Sequence, residues 1–134
     1  MLRSILAVLA GLVVAWITVS LFEFSSMHAF PPPHGVDVRD PHQVAALVSR
    51  MPIGALALVL AGWVVGALDG CLVAALIAKR RVPAVVVGAL VALGALAMVM
   101  MVPHPLWMSI AGVFLPVPAA LLGAWLVRGR NAAG

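Results

Sequence analysis

The sequence predicts an all-α membrane protein, an antiparallel bundle of four transmembrane helices, on two observations. Four apolar stretches, Leu2 to Phe24, Pro52 to Ala78, Pro83 to Val102 and Pro105 to Val127, take up most of the 134 residues. Each reaches or exceeds the roughly 20 residues that a helix needs to cross the hydrocarbon core of a bilayer. Composition is the second observation: 65% of the residues are hydrophobic and 9% are charged, against roughly 45–50% apolar and 25% charged in soluble domains. One integral membrane domain over residues 1–134 follows, with an interior made by helices packing on one another in lipid.

The first span has an apolar run longer than the 7–15 residues of a signal-peptide core, and no small-x-small cleavage site follows it, so it is expected to stay as a helix. Residues 25–51 then form a long loop. Phe30 to Pro33 should be extended and stiff, because proline fixes φ and cannot donate a helical hydrogen bond. Asp40, Pro41 and Gln43 read as a helix start, with Asp as N-cap, Pro at the first position and Gln at the third. A short helix from Pro41 to about Arg50 results. Its apolar residues Val44, Leu47, Val48 and Met51 fall on one face, which can lie on the membrane surface or on the bundle.

Pro52, Pro83 and Pro105 mark the starts of the remaining spans, where the missing N–H has no helical partner to lose. The links after the second and third spans are only a few residues long, which forces the second to neighbour the third and the third the fourth, each pair antiparallel. Pro116 and Pro118 fall inside the fourth span, where each removes a backbone donor and crowds a carbonyl one turn earlier, so a kink is expected there. It can be a static bend shaped for packing or a functional break that binds an ion.

Six of the eight basic residues fall on one side of this topology: Arg3, Lys79, Arg80, Arg81, Arg128 and Arg130. The other side carries Arg39 and Arg50, diluted by Glu23, Asp37 and Asp40. The positive-inside rule therefore makes both termini cytoplasmic and puts the long loop, with its short helix, outside. The net charge of +4 resides at helix ends, so no nucleic-acid partner is expected. With Cys71 as the lone cysteine, no internal disulfide can form.

Inside the spans, small residues recur four apart. Gly62, Gly66 and Gly70 continue into Ala74 and Ala78; Ala7, Gly11 and Ala15 line the first span; Ala84, Gly88 and Ala92 line the third. Lipid tails are as apolar as leucine, so helices associate in a membrane by close backbone approach, which such ridges permit. The ridges can close a compact bundle, and one can also face outward against helices of another membrane protein or a second copy.

Asp69 is the intramembrane polar candidate. It lies roughly ten residues, or about 15 Å, from the cytoplasmic end of the second span. No basic residue lies at that depth in any span. Ionisable residues inside a membrane are costly and often serve a proton path, a cation or a partner helix. The structural alternative is a carboxyl hydrogen-bonded to a serine, a threonine or a bent-helix carbonyl.

The four histidines, His28, His34, His42 and His104, all fall on the external side, where Glu23, Asp37, Asp40, Met27, Met98, Met100 and Met101 could join them in a metal site. None of the histidines is spaced three or four apart on one helix, so no metal and no cofactor are expected, haem included. Trp107 and Trp125 sit near opposite ends of the fourth span as interface anchors. Trp16 and Trp63 lie deeper, at comparable heights, where they either pack or line a lipid or quinone pocket. No catalytic constellation of nucleophile and base, or of metal and carboxylates, is visible, so an enzyme is not expected.

Three segments carry a resemblance: Pro52, Ile53, Gly54 and Ala55; the glycine run Gly62 to Gly70; and Val102, Pro103, His104, Pro105, Leu106 and Trp107. On these the chain resembles a broad group of small four-span bacterial membrane proteins without an assigned role. The likeness covers nearly the full length and implies the fold and a bacterial inner membrane, but no activity. Small multidrug transporters fit poorly, since they carry a glutamate well inside the first helix, whereas Glu23 lies at the outer edge. Fluoride channels match in size only, because their polar pore residues are missing from these spans. The expected function is that of an accessory or structural subunit, which packs helix faces and the external loop against a larger assembly or itself. The alternative is a small oligomeric transporter or channel that uses Asp69 and the kinked fourth span.

Overall fold

A computed structural model describes residues 1–132, and among them every regular element is helical. The helices are α1 (Leu2–Ala29), α2 (Pro41–Arg50), α3 (Ile53–Ala78), α4 (Arg81–Met101), α5 (Leu106–Phe114) and α6 (Pro116–Ala132). Four stretches are long and apolar enough to cross a bilayer: α1, α3, α4 and the combined Leu106–Arg128. The chain is built as a multi-pass integral membrane protein.

The first helix runs past the expected end at Phe24 and stops at Ala29, so the loop begins five residues later than the sequence suggests. Two serines explain the difference. Ser25 Oγ donates back to the Leu21 carbonyl, and Ser26 Oγ, fully buried, donates 2.9 Å to the Ala55 carbonyl at the start of α3. With their hydroxyls turned to carbonyls, neither serine competes for the backbone N–H groups as it would at a helix cap or turn. Pro31 then ends the helix, because the residue before a proline is pushed out of the helical region; Phe30 has φ −130° and ψ 73°.

Helix α3 is central and touches α1, α4, α5 and α6. Its contacts with α1 run in opposite chain order. Arg3 Nε donates to the Ile77 carbonyl, Gly11 lies on Gly70, Ala15 and Val19 on Gly66, Phe22 on Gly62, and Ser26 on Ala55. The glycines bring the backbones together: a Cβ on Gly70 would stand 2.7 Å from the Gly11 carbonyl oxygen, and one on Gly11 would stand 2.6 Å from that of Gly70.

The turn between α3 and α4 is only Lys79 and Arg80, and Lys79 is the one described non-glycine residue with positive φ, at 55°. Helix α4 starts at Arg81, so Pro83 sits in its first turn rather than at its start, still where no helical donor is lost. The fourth span is interrupted at Leu115, which keeps right-handed helical angles (φ −65°, ψ −35°). Pro116 and Pro118 lack the N–H groups that would have bonded the carbonyls of Gly112 and Phe114, so the path continues while the hydrogen-bond ladder breaks.

Two core clusters result. Towards the basic turn the core is made of small groups, Ala67, Cys71, Ala74, Ala84 and Ala120 with Val87 and Val127. Towards the loop it is built from larger ones, Leu56, Trp63, Met108 and Val48. Val48 belongs to α2, whose Val44 and the following Met51 pack on the same cluster, so the apolar face of the short helix lies on the bundle.

Candidate functional site

The glycine positions Gly11, Gly62, Gly66, Gly70 and Gly88 are all buried within the chain. A Cβ on Gly62 would meet Phe22, one on Gly66 Val19 and Ala15, and one on Gly88 Ala120 and Cys71. These faces are filled by the protein's own helices. Gly94, by contrast, has nothing within 4 Å of a built Cβ.

Asp69 stands at the edge of the α1–α3 seam. A helical Cβ tilts towards the N-terminus of its helix, so the carboxyl reaches back along α3 to Thr18, the only threonine in the chain. Thr18 Oγ1 donates to Asp69 Oδ2 at 2.5 Å, while Asp69 Oδ1 is buried with no hydrogen-bond partner. Thr18 had no sequence signal beyond its residue type, since which helix faces Asp69 depends on the packing. The interrupted fourth span meets α3 elsewhere: Gly112 abuts the Trp63 ring, and Gly123 lies against Leu68, Cys71 and Leu72. Asp69 lines none of the described cavities.

Trp16 and Trp63 do come to one place. With Ser20, Glu23, Leu90 and Met98 they line a cleft of about 360 Å³ between α1, α3 and α4. Their surroundings differ sharply, for Trp16 is 72% exposed and Trp63 4%. Trp107 and Trp125, near the two ends of the fourth span, are both exposed.

The loop builds a second, larger cleft of about 490 Å³ between its proline run and α2, lined among others by Met27, Phe30, Pro32, Leu47, Arg50 and Met51. Capping chemistry fixes the start of α2 beside it. Asp40 accepts from the His42 N–H at 3.0 Å, and Gln43 Nε2 donates to Asp40 Oδ2. Gln43 Oε1 accepts from the N–H of Asp37 rather than from that of Asp40, which is turned to the Asp37 carbonyl. The cap is thus a wider clasp than the reciprocal box the spacing suggests. These hydrogen bonds, led by the one from the His42 amide, hold the Asp40 carboxyl below its ordinary value.

The histidines stay apart. His28 stacks on Phe24, His104 Nδ1 lies 2.6 Å from the Val102 carbonyl with its ring edge-on to Trp63, and His34 is exposed. Since a carbonyl only accepts, His104 carries its proton on Nδ1. Among the described residues no three His, Cys, Asp or Glu side chains gather as a metal site would require. The two buried hydroxyl and thiol donors are spent on carbonyls, Ser26 on Ala55 and Cys71 on Ala84, as is the half-buried Ser109 on Pro105. No known family model, characterised protein or solved structure matches the chain.

Proposed function

We propose that the protein is a non-enzymatic, antiparallel four-span protein of a bacterial inner membrane that serves as an accessory subunit of a larger membrane assembly. Both termini are cytoplasmic, and the segment from Phe30 to Pro52, with α2, is external. The positive-inside distribution supports this orientation, and the resemblance to small four-span bacterial proteins supports the membrane. The buried hydroxyl and thiol groups, each turned to a carbonyl, speak for a scaffold rather than a catalyst.

The observation that carries the reading is the division of surfaces. The glycine faces are consumed within the bundle, whereas the external segment holds an open apolar cleft with Arg50 at its edge. An accessory contact therefore uses the external segment, and its occupant is an extended apolar stretch of the partner protein, which matches the cleft's proline, methionine and phenylalanine walls. The test places a photo-crosslinker at position 47 and, as control, at lipid-facing Leu93 in native membranes. The reading expects a discrete adduct, mapped to one segment of one membrane protein, from position 47 alone, and its loss on Phe30→Ala. Equal or absent adducts from both positions contradict it.

A transporter or channel is the competing reading, favoured by one observation, the unpartnered Asp69 Oδ1. The contacts of the interrupted fourth span on α3, at Leu68, Cys71 and Leu72, lie apart from the Thr18 side on which Asp69 stands. Substrate flux in reconstituted vesicles that Asp69→Asn abolishes would replace the accessory reading with this one.

A further inference from the structure

Four cations converge on one end of the bundle from separate parts of the chain. Lys79, Arg80 and Arg81 come from the turn between α3 and α4, and Arg128 from α6; together they line a pocket of about 160 Å³ whose floor is Ala75, Ala124 and Val127. Arg3, at the same end, is committed elsewhere, with its Nε on the Ile77 carbonyl. None of the four acidic residues lines the pocket: Glu23, Asp37 and Asp40 are remote in sequence, and Asp69 lies ten residues up α3 from Lys79, with its carboxyl on Thr18. Like charges gathered in so small a space repel one another and draw a counter-anion. Orientation by the positive-inside rule requires the charges only on one side of the membrane, not around one pocket.

The pocket opens into a groove. Arg81, Ala124 and Arg128 also line a cavity of about 560 Å³ whose other walls are Val85, Pro118, Leu121, Leu122 and Trp125. This cavity runs between α4 and α6, away from the cations and along the apolar face of the spans. Polar at one end and apolar along its length, it has the chemistry of a phospholipid: guanidinium groups fit phosphate oxygens in pairs, and an indole at the same level suits the headgroup region.

We infer that this end of the bundle binds one anionic phospholipid, its phosphate among Lys79, Arg80, Arg81 and Arg128 and an acyl chain along the α4–α6 groove. Basic pockets between spans on the cytoplasmic side are suited to such headgroups. The site is independent of the accessory role, because it lies at the end of the bundle opposite the external segment.

The full chain, purified in mild detergent and stripped of lipid, is titrated with phosphatidylglycerol, phosphatidylcholine, the deacylated headgroup glycerophosphoglycerol and inorganic phosphate. Binding is read by native mass spectrometry and by the melting temperature. One phosphatidylglycerol should bind at least tenfold tighter than phosphatidylcholine or the deacylated headgroup. Arg81→Gln with Arg128→Gln should remove that preference, whereas Arg39→Gln with Arg50→Gln, an equal change of charge, should keep it. Arg128→Gln alone, on the exposed face of α6, should weaken binding severalfold and covers the case in which the double variant does not fold. Equal affinity for both phospholipids, equal loss in the two double variants, or an unchanged Arg128→Gln would overturn the inference. Binding of inorganic phosphate or the deacylated headgroup as tight as that of phosphatidylglycerol would overturn it too, leaving an anion pocket without a lipid.

Discussion

The α1–α3 seam and the segment between them are made in opposite ways. In the seam, Gly11 and Gly70 bring backbone onto backbone, with carbonyl oxygens where side chains would stand, so nothing there can be enlarged without separating the helices. In the connecting segment, a carboxylate cap at Asp40, a run of prolines and a few side chains on the core hold the chain around an open cleft. The seam draws its rigidity from the absence of side chains, and the segment draws its shape from particular ones. A membrane protein can thus be tight where its helices meet and still carry a built cleft on the segment that joins them.

The sharpest way to break the contrast is to fill the seam. Gly70→Leu must displace the Gly11 carbonyl and Ala15, and should cost on the order of 3 kcal/mol or more. Gly94→Leu, with nothing within 4 Å, should change stability by less than about 0.5 kcal/mol. Unfolding in a denaturing-detergent titration followed by circular dichroism measures both. Similar losses at the two sites would mean that the seam is not close-packed.

A smaller effect is expected at the seam's polar edge. Thr18→Val keeps the shape but leaves the half-buried Asp69 carboxyl without its hydroxyl, a loss of about 1 kcal/mol, the ordinary net contribution of a hydrogen bond. Thr18→Ser should restore most of it in the same titration, since it keeps the oxygen. A Thr18→Val variant as stable as the native chain would show that the hydrogen bond contributes nothing.

The smallest and most local effect belongs to the connecting segment. Asp40→Ala removes the acceptor for the His42 N–H, so amide exchange should speed up in α2 and stay unchanged in α1 and α3. Acid should do the same to the native chain. The folded carboxyl titrates below its ordinary value, so the cap's contribution is present above the unfolded value and is lost as pH falls through the lower folded one. Protection in α2 that is steady across that range would show that the cap does not hold the helix.

The sequence made these regions legible to different depths. Uninterrupted leucine, valine and alanine runs announce the spans, because only apolar helices of that length suit a bilayer. Asp40, Pro41 and Gln43 announce α2 to the residue, since capping depends on neighbours in the chain. The end of α1 was not legible: Ser25 and Ser26 look like loop residues until Leu21 and Ala55 supply their carbonyl partners, and Ala55 is remote in sequence. Small residues four apart declare that a face can be close-packed but not what packs on it. Gly66 meets α1, whereas Gly88 meets α6 and α3. For the same reason Asp69 stood out as costly, while its tie to Thr18 came only with the fold.

The central claim is a chain threaded four times through a bilayer, with its proline-marked segment on one side and its basic turn on the other. In a Cys71→Ser background, His34→Cys and Arg80→Cys are each treated with a membrane-impermeant maleimide on intact cells and again after permeabilisation. Labelling of position 34 on intact cells, with position 80 labelled only once the membrane is opened, is the predicted result. The reverse pattern, or a chain that stays in solution without detergent, would contradict the account.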